Sequence, residues 1–363
     1  PRERKLQAVV TLYILLGLAL FLALGFEFVN GFHDTANAVA TVIYTNTLTP
    51  TIAVIWSGFF NFLGALLSSG AVAYSIVKLV PIVATTTMPV AFAMIFSILL
   101  AAIAWNLATW YFGIPASSSH ALIGSILGVG MASSLSQGAG LLAGLNMAKL
   151  TGILYALALS PLIGFFGAIL LFVLLRTMVN KPELYDTPKK KKAPPFWIRL
   201  WLLFTCTGVS FAHGSNDGQK GMGLVMLILI VALPAIYGPY VAITAIPFWV
   251  KLVVALALGF GTMIGYKRVV KTVGEKIGKK DMAYAQGAVA EMVTMTTIGA
   301  ADMFGLPVST THILNSSVAG TMAANGSGMN YKTVGTILSA WILTLPVTML
   351  LSGVLFLLLG TVW

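Results

Sequence analysis

The sequence has few of the cysteine, histidine and charged residues that soluble enzymes and secreted proteins commonly use. Its 363 residues include one cysteine, four histidines and ten acidic residues, and only 9% are charged. A single cysteine excludes a disulfide framework, and no His/Cys cluster suggests a zinc enzyme or zinc transporter. Apolar residues make up 58% of the chain, against roughly 45–50% in soluble domains. The composition predicts a polytopic membrane protein without a separate soluble domain.

Long apolar runs account for most of the chain. They cover residues 6–26, 51–67, 89–112, 149–179, 197–211, 221–233, 247–265 and 333–359. Most approach or exceed the ~20 residues that a helix needs to cross a ~30 Å hydrocarbon core. The first run is too long for a signal peptide and lacks a small-residue cleavage site, so we interpret it as a span. With the motif-bearing segments added, the sequence predicts an all-α polytopic membrane protein with about 10–12 transmembrane segments.

The excess positive charge is concentrated beside the apolar runs. Residues 181–199 and 267–280 each contain six of the 21 Lys and Arg residues, and three more lie at the N-terminus. Basic clusters beside spans mark cytoplasmic loops, so we expect both loops on the cytoplasmic side of a cell membrane. We interpret them as topology signals, and no nucleic-acid partner is expected. The run Lys189–Lys192 marks a linker over 181–199 between a first repeat, 1–180, and a second, 200–363.

The most informative pattern is a duplication. The segment 31–37, GFHDTAN, corresponds to 214–220, GSNDGQK, and 113–120, GIPASSSH, corresponds to 305–312, GLPVSTTH. Paired interruptions in an apolar chain are typical of transporters with inverted repeats. We therefore predict two inverted repeats with discontinuous or re-entrant helices, with helix breaks at Gly31, Pro115, Gly214 and Pro307. Inversion requires an external N-terminus, which the basic start of the chain opposes.

Acidic residues inside or beside apolar segments are candidate functional residues, because an ionised carboxylate at the bilayer centre costs at least ~2.5–3.5 kcal/mol. Five of the ten are of this kind: Glu27, Asp34, Asp217, Glu291 and Asp302. Asp34 and Asp217 occupy equivalent positions in the duplicated motif, beside the amides of Asn37, Asn216 and Gln219. A capping role does not explain that duplication, so we predict a functional one. For Asp302 a capping role is favoured, and Glu27 would be unremarkable at the membrane interface.

The second duplicated motif is suited to starting a helix at an anion site. Proline presets the first turn, and the hydroxyls that follow can cap free N–H groups. Because helix N-termini bind anions, we predict oxyanion donors at Ser117, Ser118, Ser119, Ser309, Thr310 and Thr311. A simple cap would explain one copy, but two copies paired with two Asp motifs favour a ligand site. The neighbouring His120 and His312 are assigned no definite role.

Together, the segments 30–41, 113–124, 214–220 and 305–312 resemble the inorganic phosphate transporter (PiT) family. All four signatures occur in order, two in each half. The resemblance implies an inverted-repeat secondary transporter that carries phosphate with sodium, or in some bacterial members with protons, and that often forms homodimers. It also implies a role for Glu291, sixteen residues before Pro307. Leu99 stands at the equivalent place in the first half, so no paired glutamate is expected.

The repulsion between phosphate and the motif aspartates favours transport of phosphate together with a cation. Near Asp34 and Asp217, phosphate would meet a repulsion of about 3 kcal/mol per charge pair at ~5 Å and an effective dielectric of ~20, so cations must enter with it. Sodium is favoured over protons because neutral oxygen donors are abundant and the nearby histidines lack relay partners. The expected phosphate-binding residues are Asp34, Asn37, Ser117, Ser118, Ser119, Asn216, Asp217, Gln219, Lys220, Ser309, Thr310 and Thr311. The expected sodium-binding residues are Asp34, Asn37, Asp217, Asn216, Glu291, Thr294, Ser118 and Thr310.

Several alternatives remain open from the sequence. Lys220 could form an ion pair with Asp217 or contact phosphate directly. A proton-coupled phosphate transporter or a sulfate transporter would use the same fold and most of the same donors. An intramembrane hydrolase is disfavoured because Ser119 and His120 are neighbours in sequence, and adjacent helical residues do not face each other. No organic cofactor is expected.

Overall fold

The computed structural model describes residues 2–79, 87–187, 193–237, 245–264, 267–272, 277–279 and 281–361. The predicted linker run Lys189–Lys192 lies outside these residues, as does part of the 267–280 loop. The described chain is helical, as the composition predicts, with an isolated bridge between Gly278 and Met329.

The first half of the chain forms seven α-helices within the described residues. They are α1 Arg2–Asp34, α2 Ala36–Tyr44, α3 Pro50–Leu67, α4 Ala71–Val77, α5 Met88–Phe112, α6 Ser118–Ser136 and α7 Met147–Met178. A 3-10 turn, Pro182–Leu184, follows. The second half forms α8 Phe196–Tyr237, α9 Phe248–Thr262, α10 Lys267–Lys271, α11 Tyr284–Met303, α12 Thr310–Asn325 and α13 Tyr331–Gly360. Helix α8 thus begins inside the predicted linker.

Seven helical segments of the described chain are long and apolar enough to cross a membrane. They are Val9–Tyr44, Pro50–Leu67, Met88–Phe112, Ser118–Ser136, Met147–Met178, Phe196–Pro234 and Tyr331–Gly360. The prediction of 10–12 segments also counted shorter or more polar passes, which correspond to α9, α11 and α12, of 15, 20 and 16 residues. Large apolar side chains such as Phe166 and Leu350 are exposed on α7 and α13, as expected for surfaces that face lipid. The chain is therefore a membrane protein.

Equivalent helices of the two halves make equivalent contacts. Helix α6 of the first half packs on α13 of the second, and α12 of the second packs on α7 of the first. The pairs α1 with α9 and α8 with α3 repeat this exchange. Both α7 and α13 begin at an asparagine cap, Asn146 and Asn330, and contain an internal proline, Pro161 and Pro346. The halves are therefore intertwined through like pairs of helices, and their inversion stays a prediction.

The predicted helix break at Gly214 is wrong, and the first motif is interrupted at Thr35, between α1 and α2, rather than at Gly31. Gly31 lies inside α1 and Gly214 inside the 42-residue α8, both of which continue past the glycine. A Cβ atom at Gly214 would overlap the carbonyl oxygen of Asn61 on α3, and one at Gly31 would overlap that of Leu258 on α9. The missing side chain therefore permits close approach of two helix backbones.

The two proline motifs lie between helices. Helix α5 ends before Gly113, whose backbone is left-handed (φ 66°), and α6 begins after Pro115. Equivalently, α11 ends before Gly305 (φ 64°), and α12 begins after Pro307. Glycine adopts this conformation without a Cβ penalty. Both breaks bring hydroxyl-bearing helix N-termini into the interior of the protein.

Candidate functional site

Asp34, the last residue of α1, is the centre of a buried polar cluster. Its Oδ2 accepts a hydrogen bond from Ser118 Oγ at 2.9 Å, and its Oδ1 accepts one from Thr311 Oγ1 at 2.9 Å. His33 Nδ1 lies 2.8 Å from Oδ1. Ser118 begins α6 and Thr311 lies in the first turn of α12. The two interrupted segments, one from each half, therefore meet at a single carboxylate.

Asp217, in the interior of α8, is paired with Lys220. The Lys220 ammonium lies 2.6 Å from Asp217 Oδ2 and donates to Ser119 Oγ at 2.6 Å. Ser118 Oγ is 3.5 Å from Asp217 Oδ2, so one hydroxyl lies between the two motif aspartates. Asp217 and Lys220 are both fully buried. Of the two roles that the sequence left open for Lys220, the structure forms the ion pair.

His213, which the sequence analysis did not single out, lies between the two aspartates. Its Nε2 is 3.5 Å from Asp217 Oδ2 and 3.8 Å from Asp34 Oδ2. One ligand atom from each of these three residues lies within 4.8 Å of the others. The available signal was its spacing, one helical turn before Asp217, which places both side chains on the same helix face.

The hydrogen bonds of Asn61 define the tautomer of His213. Thr262 Oγ1 donates its hydrogen to Leu258 O, so it accepts from Asn61 Nδ2 at 3.2 Å. The Asn61 oxygen then faces His213 Nδ1 at 2.7 Å, and that nitrogen carries a hydrogen. Protonation of Nε2 as well would place a positive charge between the two carboxylates.

Two contacts across the halves repeat each other. Asn37 Nδ2 donates to Thr311 Oγ1 at 2.9 Å and approaches Thr310 Oγ1 at 3.5 Å. In the motif alignment Asn37 corresponds to Lys220 and Thr311 corresponds to Ser119. The Lys220–Ser119 contact is therefore the counterpart of the Asn37–Thr311 contact. Each joins the Asp motif of one half to the hydroxyl motif of the other.

Ser117 and Ser309 act as helix caps in this arrangement. Their Oγ atoms accept hydrogen bonds from the backbone N–H groups of His120 and His312, each at 3.1 Å. Such caps satisfy otherwise unpaired donors in the first turn. These two hydroxyls, which the sequence predicts to be oxyanion donors, are therefore bonded to the backbone of α6 and α12 in this structure.

Asn216 and Gln219 are placed outside the cluster around Asp34 and Asp217. Asn216 Nδ2 donates to Leu306 O at 3.1 Å, and its Oδ1 accepts from Val308 N at 3.3 Å, so it holds the Pro307 loop. Gln219 Nε2 donates to Asp302 Oδ1 at 2.6 Å, and its Oε1 accepts from the Val72 backbone at 2.9 Å. These amides stabilise the interrupted segment of the second half. In this structure both amides are bonded to these partners, so neither is directed at the cluster where phosphate was expected to bind.

Glu291 and Thr294, both on α11, are bonded to partners outside the motif cluster. Thr205 Oγ1 donates to Glu291 Oε2 at 2.5 Å, and Thr294 Oγ1 donates to Ala290 O at 2.7 Å. Cys206, next to Thr205, contacts the carbonyl oxygen of Ala38 through Sγ at 3.1 Å. Glu291 is therefore near α2, on which Asn37 lies, and is bonded to other partners than Asp34 and Asp217.

Among the described residues, two buried oxygens at the cluster are available to bind a cation. Asn37 Oδ1 and Asp217 Oδ1 are buried without a hydrogen-bond partner among the described residues, as is Glu291 Oε1. Carboxylate, amide and hydroxyl oxygens are ligands that suit hard cations. The donor set around Asp34, Asp217 and Asn37 therefore fits a sodium ion.

Sequence comparison gives one family over nearly the whole chain. The phosphate transporter family matches residues 30–352. The low-affinity inorganic phosphate transporter PitA of Escherichia coli K12 is 38% identical over 94% of this chain and 96% of its own length. A probable low-affinity inorganic phosphate transporter of Bacillus subtilis is 38% identical over 97% of this chain and 99% of its own length.

Structural comparison agrees at the level of the fold. A solved structure of a protein named the sodium-dependent phosphate transporter superposes with a TM-score of 0.81 at 24% identity. The match covers 96% of this chain and 100% of that one. These relatives are named as transporters, a class distinct from enzymes.

Proposed function

We propose that this chain, which belongs to the phosphate transporter family, is a sodium-coupled symporter of inorganic phosphate that works by alternating access. One observation carries the proposal: the Asp and hydroxyl motifs of both halves converge on a single buried cluster, where Ser118 lies 2.9 Å from Asp34 and 3.5 Å from Asp217. Sites between repeats that are built from interrupted segments are typical of secondary transporters.

The charges of the cluster explain why a cation would accompany the anion. Asp34 and Asp217 carry two negative charges, and the fully buried Lys220 balances only part of them. For each charge of a phosphate dianion placed there, the repulsion from each carboxylate would be about 3 kcal/mol at ~5 Å and an effective dielectric of ~20. Sodium bound to Asp34, Asp217 and the free oxygen of Asn37 offsets this repulsion. Glu291 and Thr294, on α11, are proposed to act on a second cation or on gating.

The hydroxyls and N-termini of α6 and α12 are proposed to bind phosphate. Ser118, Ser119, Thr310 and Thr311 lie in the first turns of these helices, where free N–H groups and the helix dipole favour an anion. In the structure these hydroxyls are bonded to carboxylates, to Lys220, to Asn37 or to backbone. Sodium at the carboxylates would release Ser118 and Thr311 from Asp34, and Lys220 from Asp217, for contact with phosphate.

The wider organisation is proposed from the sequence. We infer a first repeat over 1–180 and a second over 200–363, inverted with respect to each other in a cell membrane. The basic 181–199 and 267–280 loops are placed on the cytoplasmic side because Lys and Arg beside spans favour that side. A homodimer is proposed on the family resemblance.

Uptake of radiolabelled phosphate into proteoliposomes tests the coupling ion. An inward sodium gradient at constant pH is expected to drive accumulation, and replacing sodium by lithium or choline is expected to reduce uptake to nearly the level of empty liposomes. The physical reason is that the carboxylates must bind a cation before the anion enters. Accumulation driven by a pH gradient in sodium-free vesicles would contradict sodium coupling and favour the proton-coupled alternative.

Competition by other oxyanions tests the substrate. Phosphate near neutral pH keeps a P–OH group whose hydrogen bond Asp34 or Asp217 can accept, whereas sulfate offers acceptors only. A site that pairs with a substrate hydroxyl can reject an analogue lacking it by ~10⁴–10⁵-fold. We therefore expect arsenate to compete well with labelled phosphate and excess sulfate to compete poorly. Equal competition by sulfate would favour the sulfate transporter and restrict the aspartates to cation binding.

A further inference from the structure

An apolar groove lies on the surface where α7, α8 and α11 meet. It has a volume of about 300 Å³, at the lower end of the ~300–1,000 Å³ that is typical of small-molecule sites. Leu175 and Val179 line it from α7, Trp197 and Trp201 from α8, and Ala288 from α11. The two tryptophans are 43% and 47% exposed, so the groove is open to the surroundings of the protein. Its lining includes no residue of the motif cluster.

The groove lies at one end of its three helices. Helix α7 ends at Met178, α8 begins at Phe196 and α11 begins at Tyr284. Both α7 and the beginning of α8 belong to segments that are long and apolar enough to cross a membrane. The ends of such segments lie at the membrane interface, where Trp and Tyr are enriched, and Trp197, Trp201 and Tyr284 all line the groove. The groove therefore faces the boundary between the acyl chains and the headgroups of one leaflet.

The rim of the groove is basic. Lys181 Nζ lies 4.7 Å from the centre of the Trp197 ring, and Arg176 lies in the last turn of α7. Both basic side chains are exposed, and neither forms a salt bridge with a carboxylate of the described residues. Residues 176–199 contain seven Lys and Arg residues and two acidic ones. Basic segments beside membrane spans attract anionic lipids, so the rim favours an anionic headgroup.

We propose that this groove binds one anionic phospholipid, with an acyl chain along the groove and the headgroup phosphate at Lys181. An acyl chain gains little from an apolar protein surface alone, because lipid tails are equally apolar. The ionic contact at Lys181 therefore selects the lipid, and the shape of the groove fixes its position. Phosphatidylglycerol meets these requirements, since the phosphate carries the only charge of its headgroup. In phosphatidylcholine a choline group neutralises that charge.

The lipid site joins helices that carry candidate functional residues. Helix α11 packs on both α7 and α8. The groove residue Met292 follows Glu291, which accepts a hydrogen bond from Thr205 of α8. A lipid in the groove contacts all three helices at once, and a ligand that binds only the folded protein stabilises it. This inference does not depend on which ion the protein transports.

Native mass spectrometry of the purified full chain tests the site, because it counts bound lipids. Phosphatidylglycerol and phosphatidylcholine with identical acyl chains are titrated separately onto the protein in detergent. One phosphatidylglycerol is expected to bind at least ~5-fold more tightly, the effect of one basic residue at an anionic surface. Equal affinity for the two lipids would overturn the proposal. Glycerophosphoglycerol, the same headgroup without acyl chains, should not displace the lipid, and displacement would mean that charge alone is recognised and the groove is not used.

Lysine variants test the contact with the headgroup. Lys181→Gln should weaken the binding of phosphatidylglycerol ~5-fold and leave that of phosphatidylcholine unchanged. Lys149→Gln, at an exposed position near the opposite end of α7, is the matched control and should bind both lipids as the wild type does. Equal affinities of the two lysine variants for phosphatidylglycerol would overturn the assignment of the headgroup to Lys181.

A variant that fills the groove tests the position of the acyl chain. Ala288 is buried in the lining, so the ring of Ala288→Phe occupies the groove and should weaken the binding of both lipids. Ala158→Phe, at an exposed position of α7, is the matched control. Phosphatidylglycerol should raise the midpoint temperature of thermal unfolding of wild type and Ala158→Phe but not of Ala288→Phe. An equal increase in all three would overturn the proposal, and if Ala288→Phe did not fold, the lysine variants would decide.

A second copy of the chain is the competing occupant of the groove. The same spectra report the oligomeric state of each variant. Binding of phosphatidylglycerol that is independent of the oligomeric state would support the lipid site. A dimer that excludes phosphatidylglycerol and is lost in Ala288→Phe would overturn the proposal, because the groove would then be an interface between two copies.

Discussion

Proteoliposomes containing Asp34→Asn or Asp217→Asn are expected to show no sodium-driven phosphate accumulation. Asparagine preserves the size of each side chain but removes the charge that binds the co-transported cation. Asp34 also accepts hydrogen bonds from Ser118 and Thr311, so its variant weakens the point where α1, α6 and α12 meet. Radiolabelled uptake with and without sodium measures the loss. Asp186→Asn, in an exposed loop position, is the matched control and should transport as the wild type does.

The two aspartate variants should differ in stability. Asp217→Asn leaves the fully buried Lys220 without its ion-pair partner, and breaking a buried pair by removing one partner costs about 3–5 kcal/mol. The midpoint temperature of thermal unfolding in detergent should therefore be lowered more by Asp217→Asn than by Asp34→Asn. Adding Lys220→Met to Asp217→Asn should recover much of the stability but none of the transport. Sodium-dependent accumulation at the wild-type rate by both single variants would refute the cation role of the aspartates.

Replacing Gly214 by alanine is expected to destabilise the protein strongly, although alanine is the better helix former. A methyl group there meets the backbone of Asn61 rather than a flexible side chain, so α3 and α8 must move apart. Overpacking of this kind costs ~1–3 kcal/mol, and the displacement would also move Asn61 away from His213. The midpoint temperature of thermal unfolding and the rate of phosphate uptake should both decrease.

Gly335→Ala is the matched control for Gly214→Ala. Gly335 lies in α13, and a Cβ atom added to it has no neighbour within 4 Å. Alanine is favoured over glycine in a helix interior by up to ~1 kcal/mol, so this variant should be as stable as the wild type or more so. Equal stability of Gly214→Ala and Gly335→Ala would mean that the close approach of α3 and α8 has been wrongly assigned.

The sequence predicted most of the residues of the site because local chemistry marks them. Asp34 and Asp217 stand out as acids in an apolar chain, and duplication excludes coincidence. The Pro115 and Pro307 motifs can be read locally as well, because proline and hydroxyl residues specify the start of a helix. By contrast, the sequence offered only the spacing of His213 from Asp217; its partners follow from the fold, which brings Asn61 of α3 to one of its nitrogens and two carboxylates to the other.

At the glycine motifs, prediction of helix breaks from the local sequence fails. Gly31 and Gly214 favour a break when only the chain around them is considered, since glycine weakens a helix. In the structure α8 continues through Gly214, and the two glycines instead permit close approach to the backbone of Leu258 or Asn61, residues that are distant in sequence. Asn216 and Gln219 were likewise assigned to phosphate by their proximity to Asp217. Their distant partners Leu306 and Asp302 occupy them instead.

The sequence by itself determined that this is a helical membrane protein of two related halves with acids and hydroxyls at duplicated positions. These properties follow from composition, run length and local propensity, which act over a few turns of chain. Only the tertiary structure decided which donors meet which acids: Ser118 and Thr311 at Asp34, Lys220 at Asp217, and His213 between them. A side chain on α8 or α12 acquires its partner when the helices of the two halves interlock, and that contact is a property of packing between distant segments.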